Sequence, residues 1–155
     1  MGNHQPFLEV VKPGRLILAR VMPGEEVFAR LKEISVQERI QRAAVLSAIG
    51  SFEDVIFRNL QDDISLPILL DKTNEFKLHG PFEVLSLEGN LFPLQGQPFF
   101  HLHCQLSDSG GRVIGGHLFL AKAFSTLEIL LQELLESSVV KQKSDLTGLN
   151  ELLQP

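Results

Sequence analysis

The hydrophobic pattern of the first third of the chain predicts a strand, a helix and a second strand. Arg15–Val21 (RLILARV) is rich in apolar, β-forming residues and ends just before Pro23-Gly24. Apolar residues then recur at helical spacing, so we expect a helix that begins at this Pro-Gly pair and runs to about Arg42. One face of that helix should pack on a sheet, and Phe52–Leu60 predicts the next strand.

The middle of the chain contains the clearest local pattern, a hairpin between Phe99 and Leu120. Phe99–Leu106 (FFHLHCQL) predicts one strand, and Arg112–Leu120 (RVIGGHLFL) predicts its antiparallel partner. The Ser-Asp-Ser-Gly-Gly sequence between them favours a reversal of the chain. Before this hairpin, apolar positions over 74–78 and 82–92 indicate strands on either side of a His-Gly-Pro turn.

Three segments give weaker patterns. Leucines at helical spacing favour a helix over Ser125–Glu136, because Leu and Glu are good helix formers. Gln61–Lys72 is typical of a loop or a short edge strand, and the polar tail predicts a short helix after Asp145. Several strands with one main helix packed on them predict an α+β fold with a mostly antiparallel sheet, in a single domain that spans residues 1–155.

Composition and charge exclude several classes of protein. The chain has 14 Lys and Arg residues against 19 Asp and Glu residues, and its net charge of −5 gives no electrostatic reason to bind nucleic acid or an anionic membrane. A single cysteine excludes an internal disulfide and a multi-cysteine zinc ribbon. No apolar run reaches the roughly 18 residues of a membrane helix, and no export signal is evident, so we expect a cytoplasmic protein.

Three of the five histidines in the chain fall within the predicted hairpin: His101, His103 and His117. Alternation along a strand sends His101 and His103 to one face of the sheet. If the turn is centred near Ser109-Gly110, His117 comes opposite residue 102 or 103, unless a bulge shifts the register. Three neutral imidazoles that converge on one point are the usual ligands of an open zinc site. Imidazole also suits iron, copper and nickel, so the metal's identity stays open.

The alternative is a plain surface cluster of histidines. In the metal interpretation one position is left for water or substrate, and zinc lowers the pKa of such a water to about 7. Cys104 is the obvious fourth ligand by composition, but alternation sends its side chain to the opposite face, which predicts a buried apolar thiol. His4 and His79 are expected at the surface or in turns.

The sequence leaves the catalytic residues unassigned. Candidates for acid–base chemistry near a metal are Glu53, Glu83 and Glu88, each of which also fits a solvated strand residue. Arg20 and Arg58 are candidates for binding an anionic substrate or for forming ordinary salt bridges. No phosphate-binding glycine loop is present.

Two long runs resemble the plants and prokaryotes conserved (PPC) domain, also called domain of unknown function 296, in its stand-alone prokaryotic form. They are GPFEVLSLEGNLFP (Gly80–Pro93) and PFFHLHCQLSDSGGRVIGGHL (Pro98–Leu118). Further matching segments are Arg20–Ser35, Ala48–Asn59 and Ser144–Leu153. The resemblance covers about Leu16–Leu153, and the HxH…GGH spacing is its most specific feature.

The resemblance implies an α+β fold, a homotrimer, and a strand rather than a helix over Phe124–Leu134. It also implies a metal, with zinc expected, at His101, His103 and His117. The family fold is similar to that of acetolactate decarboxylase, a zinc enzyme with a three-histidine site, which suggests a lyase or hydrolase by analogy of fold. Plant relatives join the domain to AT-hooks and act in the nucleus as DNA-binding regulators, but this chain has no RGRP-like segment.

Three functions therefore compete. The first is a metal-binding trimer whose site binds or transforms a small molecule. The second is a non-catalytic oligomeric module that binds other proteins. The third is a DNA-binding regulator, which the acidic charge disfavours.

Overall fold

The computed structural model describes residues 6–154, apart from the side chain of Leu70. This part of the chain forms a mostly β structure with one α-helix. The strands are β1 (Lys12–Val21), β2 (Ala43–Leu60), β3 (Thr73–Leu94), β4 (Gln97–Ser107), β5 (Val113–Leu135), β6 (Val140–Lys143) and β7 (Asn150–Leu153). The helix α1 spans Val27–Gln37, and a short 3₁₀ helix spans Leu70–Lys72. The predicted α+β class is confirmed.

The strands form one sheet in the order β1-β5-β2-β3-β6-β7, and β4 pairs with both β3 and β5. The antiparallel pairings therefore close a ring that runs from β2 to β3, β4, β5 and back to β2. Inward-facing side chains from all four strands are buried within it, including Phe52, Leu87, Leu102 and Leu118. Burial of this apolar surface is the main force that stabilises the fold.

Helix α1 begins at Val27, later than the predicted start at Pro23-Gly24. The N–H of Gly24 donates to the carbonyl of Ala123 on β5 at 2.8 Å, and the N–H of Ala123 donates to the carbonyl of Glu25 at 3.0 Å. These bonds hold the Gly24–Glu25 segment against β5, so this segment does not join the helix. The carboxylate of Glu26 then caps the helix by accepting hydrogen bonds from two N–H groups of the first turn.

The helix also ends earlier than predicted, at Gln37 rather than near Arg42. Arg39 adopts a left-handed conformation with φ of 57°. The N–H of Ile40 donates to the carbonyl of Ser35 at 2.8 Å, which closes the last turn. This ending is typical of a helix whose chain must reverse at once into the next strand, here β2.

The helix predicted from propensity over Ser125–Glu136 is wrong, and the strand implied by the family resemblance is confirmed. This segment is the second half of β5, which is hydrogen-bonded to β1 on one side and β2 on the other. Leu127, Ile129 and Leu131 alternate into the core. Pairing on both edges outweighs the helical preference of Leu and Glu.

The short helix predicted after Asp145 is also wrong. Residues 144–149 form a turn in which the N–H of Gly148 donates to the carbonyl of Ser144 at 2.8 Å. This turn joins β6 and β7, which form an antiparallel hairpin. The loop predicted over Gln61–Lys72 is confirmed, with only the short 3₁₀ helix inside it and no strand.

Candidate metal centre

The predicted hairpin is present, and its register brings the three histidines together. β4 and β5 pair antiparallel, with His103 directly opposite His117. His101 lies two residues before His103 on β4 and therefore points to the same face. Leu102 and Cys104 point the other way and are buried in the core. The convergence predicted from alternation is confirmed.

The three rings lie close enough to share one ion. One ring nitrogen of each histidine lies within 4.8 Å of a ring nitrogen of both others. The centroid distances are 4.9 Å for His101–His117, 5.2 Å for His101–His103 and 5.4 Å for His103–His117. His101 and His117 are half-buried, whereas His103 is exposed.

The spacing of the nitrogens fits a tetrahedral metal centre. His101 Nε2 and His117 Nδ1 lie 3.1 Å apart. Two nitrogens that bind one zinc ion at about 2.0–2.1 Å in tetrahedral geometry are separated by about 3.3 Å. A small adjustment of the rings would thus suffice to place both nitrogens on one ion.

The surroundings of His101 and His117 favour the neutral form of both rings. Burial, together with the positive charge of Lys141, lowers the pKa of His101 from 6.5 to about 4. Burial also lowers the pKa of His117, with a further contribution from His103. Since only a neutral imidazole offers a lone pair to a metal, both groups are ready to bind one at neutral pH.

A second group of residues fixes the backbone beneath His117. Asn59, at the end of β2, donates from Nδ2 to the carbonyl of Gly115 at 3.1 Å and accepts at Oδ1 from the N–H of His117 at 3.2 Å. Gly116 lies between these bonds with φ of 148°, and an added Cβ would fall 1.9 Å from Asn59 Oδ1. Because Gly116 has no side chain, the amide group of Asn59 can approach the backbone next to His117.

Sequence reasoning missed two residues from outside the hairpin that contact the histidine triad (His101, His103 and His117) or its backbone, namely Asn59 and Lys141. Lys141, on β6, is 5% exposed and its Nζ lies 3.4 Å from His101 Nδ1. Burial lowers the pKa of Lys141, while the negative charge of Glu151 partly opposes that effect. Asn59 ends a segment that resembles the family, but nothing in that segment marks it as a site residue, and Lys141 belongs to no matched segment. Only the fold brings each of them to the triad.

The triad opens into a large, mostly apolar cavity of about 1400 Å³. Besides the three histidines, its walls include aromatic residues from several elements, two cations that act on the histidines, and a carboxylate that acts on one of these cations. These residues are Phe28, Phe99, Phe119, Arg58, Lys141 and Glu151. A concave, largely apolar site with a few convergent polar groups is typical of a small-molecule binding site.

The three glutamates considered for acid–base chemistry lie at different distances from the triad. Glu88 is directly opposite His103 in the β3–β4 register, so it shares the face of the triad. Glu83 pairs in register with Ser107, far along the same strands. Glu53 forms an ion pair of 2.6 Å with Lys122. Of the three, Glu88 alone is placed beside the histidines.

The two candidate arginines lie in different places relative to the triad. Arg58 lines the cavity, lies 3.4 Å above the ring of Phe119 and forms an ion pair of 2.7 Å with Glu75. Arg20 lies on β1 in register with Glu128, away from the triad. Arg58 therefore remains a candidate for binding an anionic substrate, whereas Arg20 does not line the cavity.

The remaining candidates behave as predicted where the structure describes them. Cys104 is 2% exposed, and burial raises its pKa to about 12, as expected of an inert buried thiol. His79 is a surface residue whose Nδ1 lies 2.7 Å from Asp54 Oδ1. His4 lies outside the described residues.

One protein-family model matches most of the chain. The model of the Plants and Prokaryotes Conserved (PCC) domain matches residues 8–135. The chain belongs to this family. The match includes all three histidines and Asn59, but it ends before β6 and Lys141.

Two curated relatives place a similar segment inside a much longer protein. The Bifunctional protein GlmU of Synechococcus sp. strain JA-3-3Ab is 32% identical over 139 residues, which cover 89% of this chain. The matched part is 20% of that relative, so the chain spans about a fifth of its length. The GlmU of strain JA-2-3B'a(2-13) gives a similar result, at 32% identity over 147 residues.

Solved structures with a similar fold cover nearly the whole chain. A PPC protein of Pyrococcus horikoshii is 29% identical with a TM-score of 0.81, covering 95% of this chain and 99% of its own. A metal-containing protein of Archaeoglobus fulgidus is 26% identical with a TM-score of 0.83, covering 96% and 99%. The expected likeness to acetolactate decarboxylase holds for the fold: the Bacillus subtilis enzyme has a TM-score of 0.54 at 20% identity, over 76% of this chain and 52% of its own.

Proposed function

We propose that this PCC-domain protein holds a divalent transition metal, zinc by preference, at His101, His103 and His117, and that the metal centre binds or transforms a small molecule. The observation that carries this proposal is the convergence of three imidazoles at the edge of a large cavity. The metal-containing protein of Archaeoglobus fulgidus, which shares the fold, supports it.

When bound, such an ion acts as a Lewis acid toward a substrate oxygen or toward water. The chain supplies the rest of the site. Asn59 fixes the backbone that carries His117, and Lys141 lies beside His101 as a buried cation. Glu88, directly opposite His103 in register, is the carboxylate that we propose as the proton acceptor for a group bound at the triad.

Metal analysis after purification and dialysis tests this proposal. We expect about one metal ion per chain, as for other three-histidine sites, and its loss on His103→Ala. His79→Ala is the matched control, because His79 is exposed and distant from the triad. A protein that contains no stoichiometric metal, even after incubation with zinc, contradicts the proposal.

We further propose that the protein assembles as a homotrimer through the outer face of the sheet. Leu16 and Leu18 on the edge strand β1 are 62% and 77% exposed, and Ile49 on β2 is 73% exposed on the same face. An exposed apolar face of this kind is usually covered in an assembly. Light scattering should give three times the chain mass of 17.3 kDa. Leu18→Glu should dissociate the trimer, whereas Leu66→Glu in the exposed loop should leave it intact.

A second candidate function is a protein-interaction module, which the two GlmU relatives favour. In both, the similar segment is about a fifth of a longer chain, as expected of a domain that joins other domains. This function predicts that a variant with all three histidines replaced by alanine recovers the same partner protein from a cell lysate as the wild-type protein does. Recovery of no specific partner by the wild-type protein counts against it.

A further inference from the structure

We propose that the cavity binds an organic carboxylate with an apolar body, and that Lys141 holds its carboxylate group beside the metal centre. The inference deepens the proposed function, on which it rests, by naming the class of ligand. The juxtaposition that leads to it is a buried ammonium group next to His101, at one end of a large apolar cavity.

Lys141 is a buried basic side chain without a carboxylate partner among residues 6–154. Its Nζ forms no ion pair with any carboxylate of residues 6–154 within 4.0 Å, although the residue is only 5% exposed. Burying an unpaired charge is costly unless another group compensates it. An anion bound in the cavity supplies that compensation.

The other charged groups that face the cavity do not take this role. The guanidinium of Arg58 is already paired with Glu75 and stacked on Phe119. Lys32 lies at the exposed rim, where water solvates its charge. Glu151 is the one carboxylate that lines the cavity within residues 6–154, and it acts on Lys141 from beyond ion-pair distance. Lys141 is therefore the cation that a ligand carboxylate can reach.

The walls of the cavity determine the body of the ligand. Aromatic and leucine side chains line most of it, namely Phe28, Phe99, Phe119, Leu60, Leu146 and Leu152. A volume of about 1400 Å³ exceeds what a two- or three-carbon acid needs, so an alkyl or aryl body fits better. Each methylene buried against these walls strengthens binding by about fourfold.

Calorimetric titration of the metal-loaded protein with butyrate, hexanoate and octanoate tests the inference. We expect affinity to rise about fourfold per methylene, and octanoate to bind at least roughly tenfold more tightly than octanol. Lys141→Met should remove that preference for the acid, whereas Lys141→Arg should retain most of it. Lys143→Met, on the same strand but exposed, is the matched control.

The outcomes separate this inference from the metal proposal. Equal affinity for octanoate and octanol in the wild-type protein overturns the inference, whether or not Lys141→Met folds. If the metal is bound at full occupancy and Lys141→Met leaves the affinity for octanoate unchanged, the inference is wrong and the metal proposal stands. Octanoate binding that depends on Lys141 in a protein that contains no metal supports the carboxylate site and contradicts the metal proposal.

Discussion

The side chain of Asn59 and the backbone of His117 are joined by a hydrogen bond that connects β2 to the triad. Oδ1 of Asn59 accepts from the N–H of His117 at 3.2 Å, while Nδ2 donates to the carbonyl of Gly115 at 3.1 Å. One amide side chain thus satisfies the backbone on both sides of Gly116, just beyond the last residue pair between β5 and β2. The position of the His117 ring therefore depends on a residue 58 positions away in the chain.

Asn59→Ala removes both hydrogen bonds and leaves two partly buried backbone groups without partners. We expect the free energy of unfolding to fall by about 1–3 kcal/mol. Zinc affinity should fall by about tenfold or more, since groups that orient ligands have effects of this size. Urea denaturation and zinc titration against a competing chelator measure the two effects. Asn74→Ala, at an exposed position on β3, is the control, and equal zinc affinity in both variants would show that Asn59 does not position His117.

The stability of the metal-free protein should fall as the pH decreases from about 6.5 toward 4. The pKa of His101 is lowered from 6.5 to about 4 by burial and by the charge of Lys141, and that of His117 is lowered as well. In this pH range the two histidines bind protons in the unfolded chain but stay neutral in the folded chain, so protonation favours unfolding. Urea denaturation at about pH 7.5 and 5 should show a decrease in wild type that is smaller in His101→Gln. An equal decrease in the free energy of unfolding of both proteins would show that His101 does not cause the pH dependence.

Cys104 should be inert in the folded protein and unnecessary for metal binding. Its thiol is buried on the core side of β4, and burial raises its pKa to about 12, so thiolate is scarce at neutral pH. An aromatic disulfide reagent should label it only after denaturation. Cys104→Ser should retain the full metal content, and loss of the metal in that variant would make the thiol a ligand.

The hairpin and its histidines were predictable because their signals are local. Strand alternation places His101 and His103 on one face, and the turn of Ser, Asp and Gly residues sets the register that brings His117 opposite His103. The class of the fold followed from the same strand patterns. The long bent strands β2, β3 and β5 were only partly predictable, since glycines and prolines within them resemble boundaries.

The residues around the triad were not predictable, because they depend on contacts between distant segments. Lys141 lies in a polar tail without a motif, and pairing of β6 with β3 through Leu94 brings it to the cavity. The helical pattern of Ser125–Glu136 misled for a related reason, since two neighbouring strands fix its conformation. Local propensity does not report such pairing.

The most direct test of the central claim is a crystal structure of the zinc-loaded protein with anomalous scattering recorded at the zinc edge. The account predicts one anomalous peak per chain, bonded at about 2.0–2.1 Å to a ring nitrogen of each of His101, His103 and His117. A peak bound elsewhere, or the three rings turned apart with no zinc between them, would contradict it.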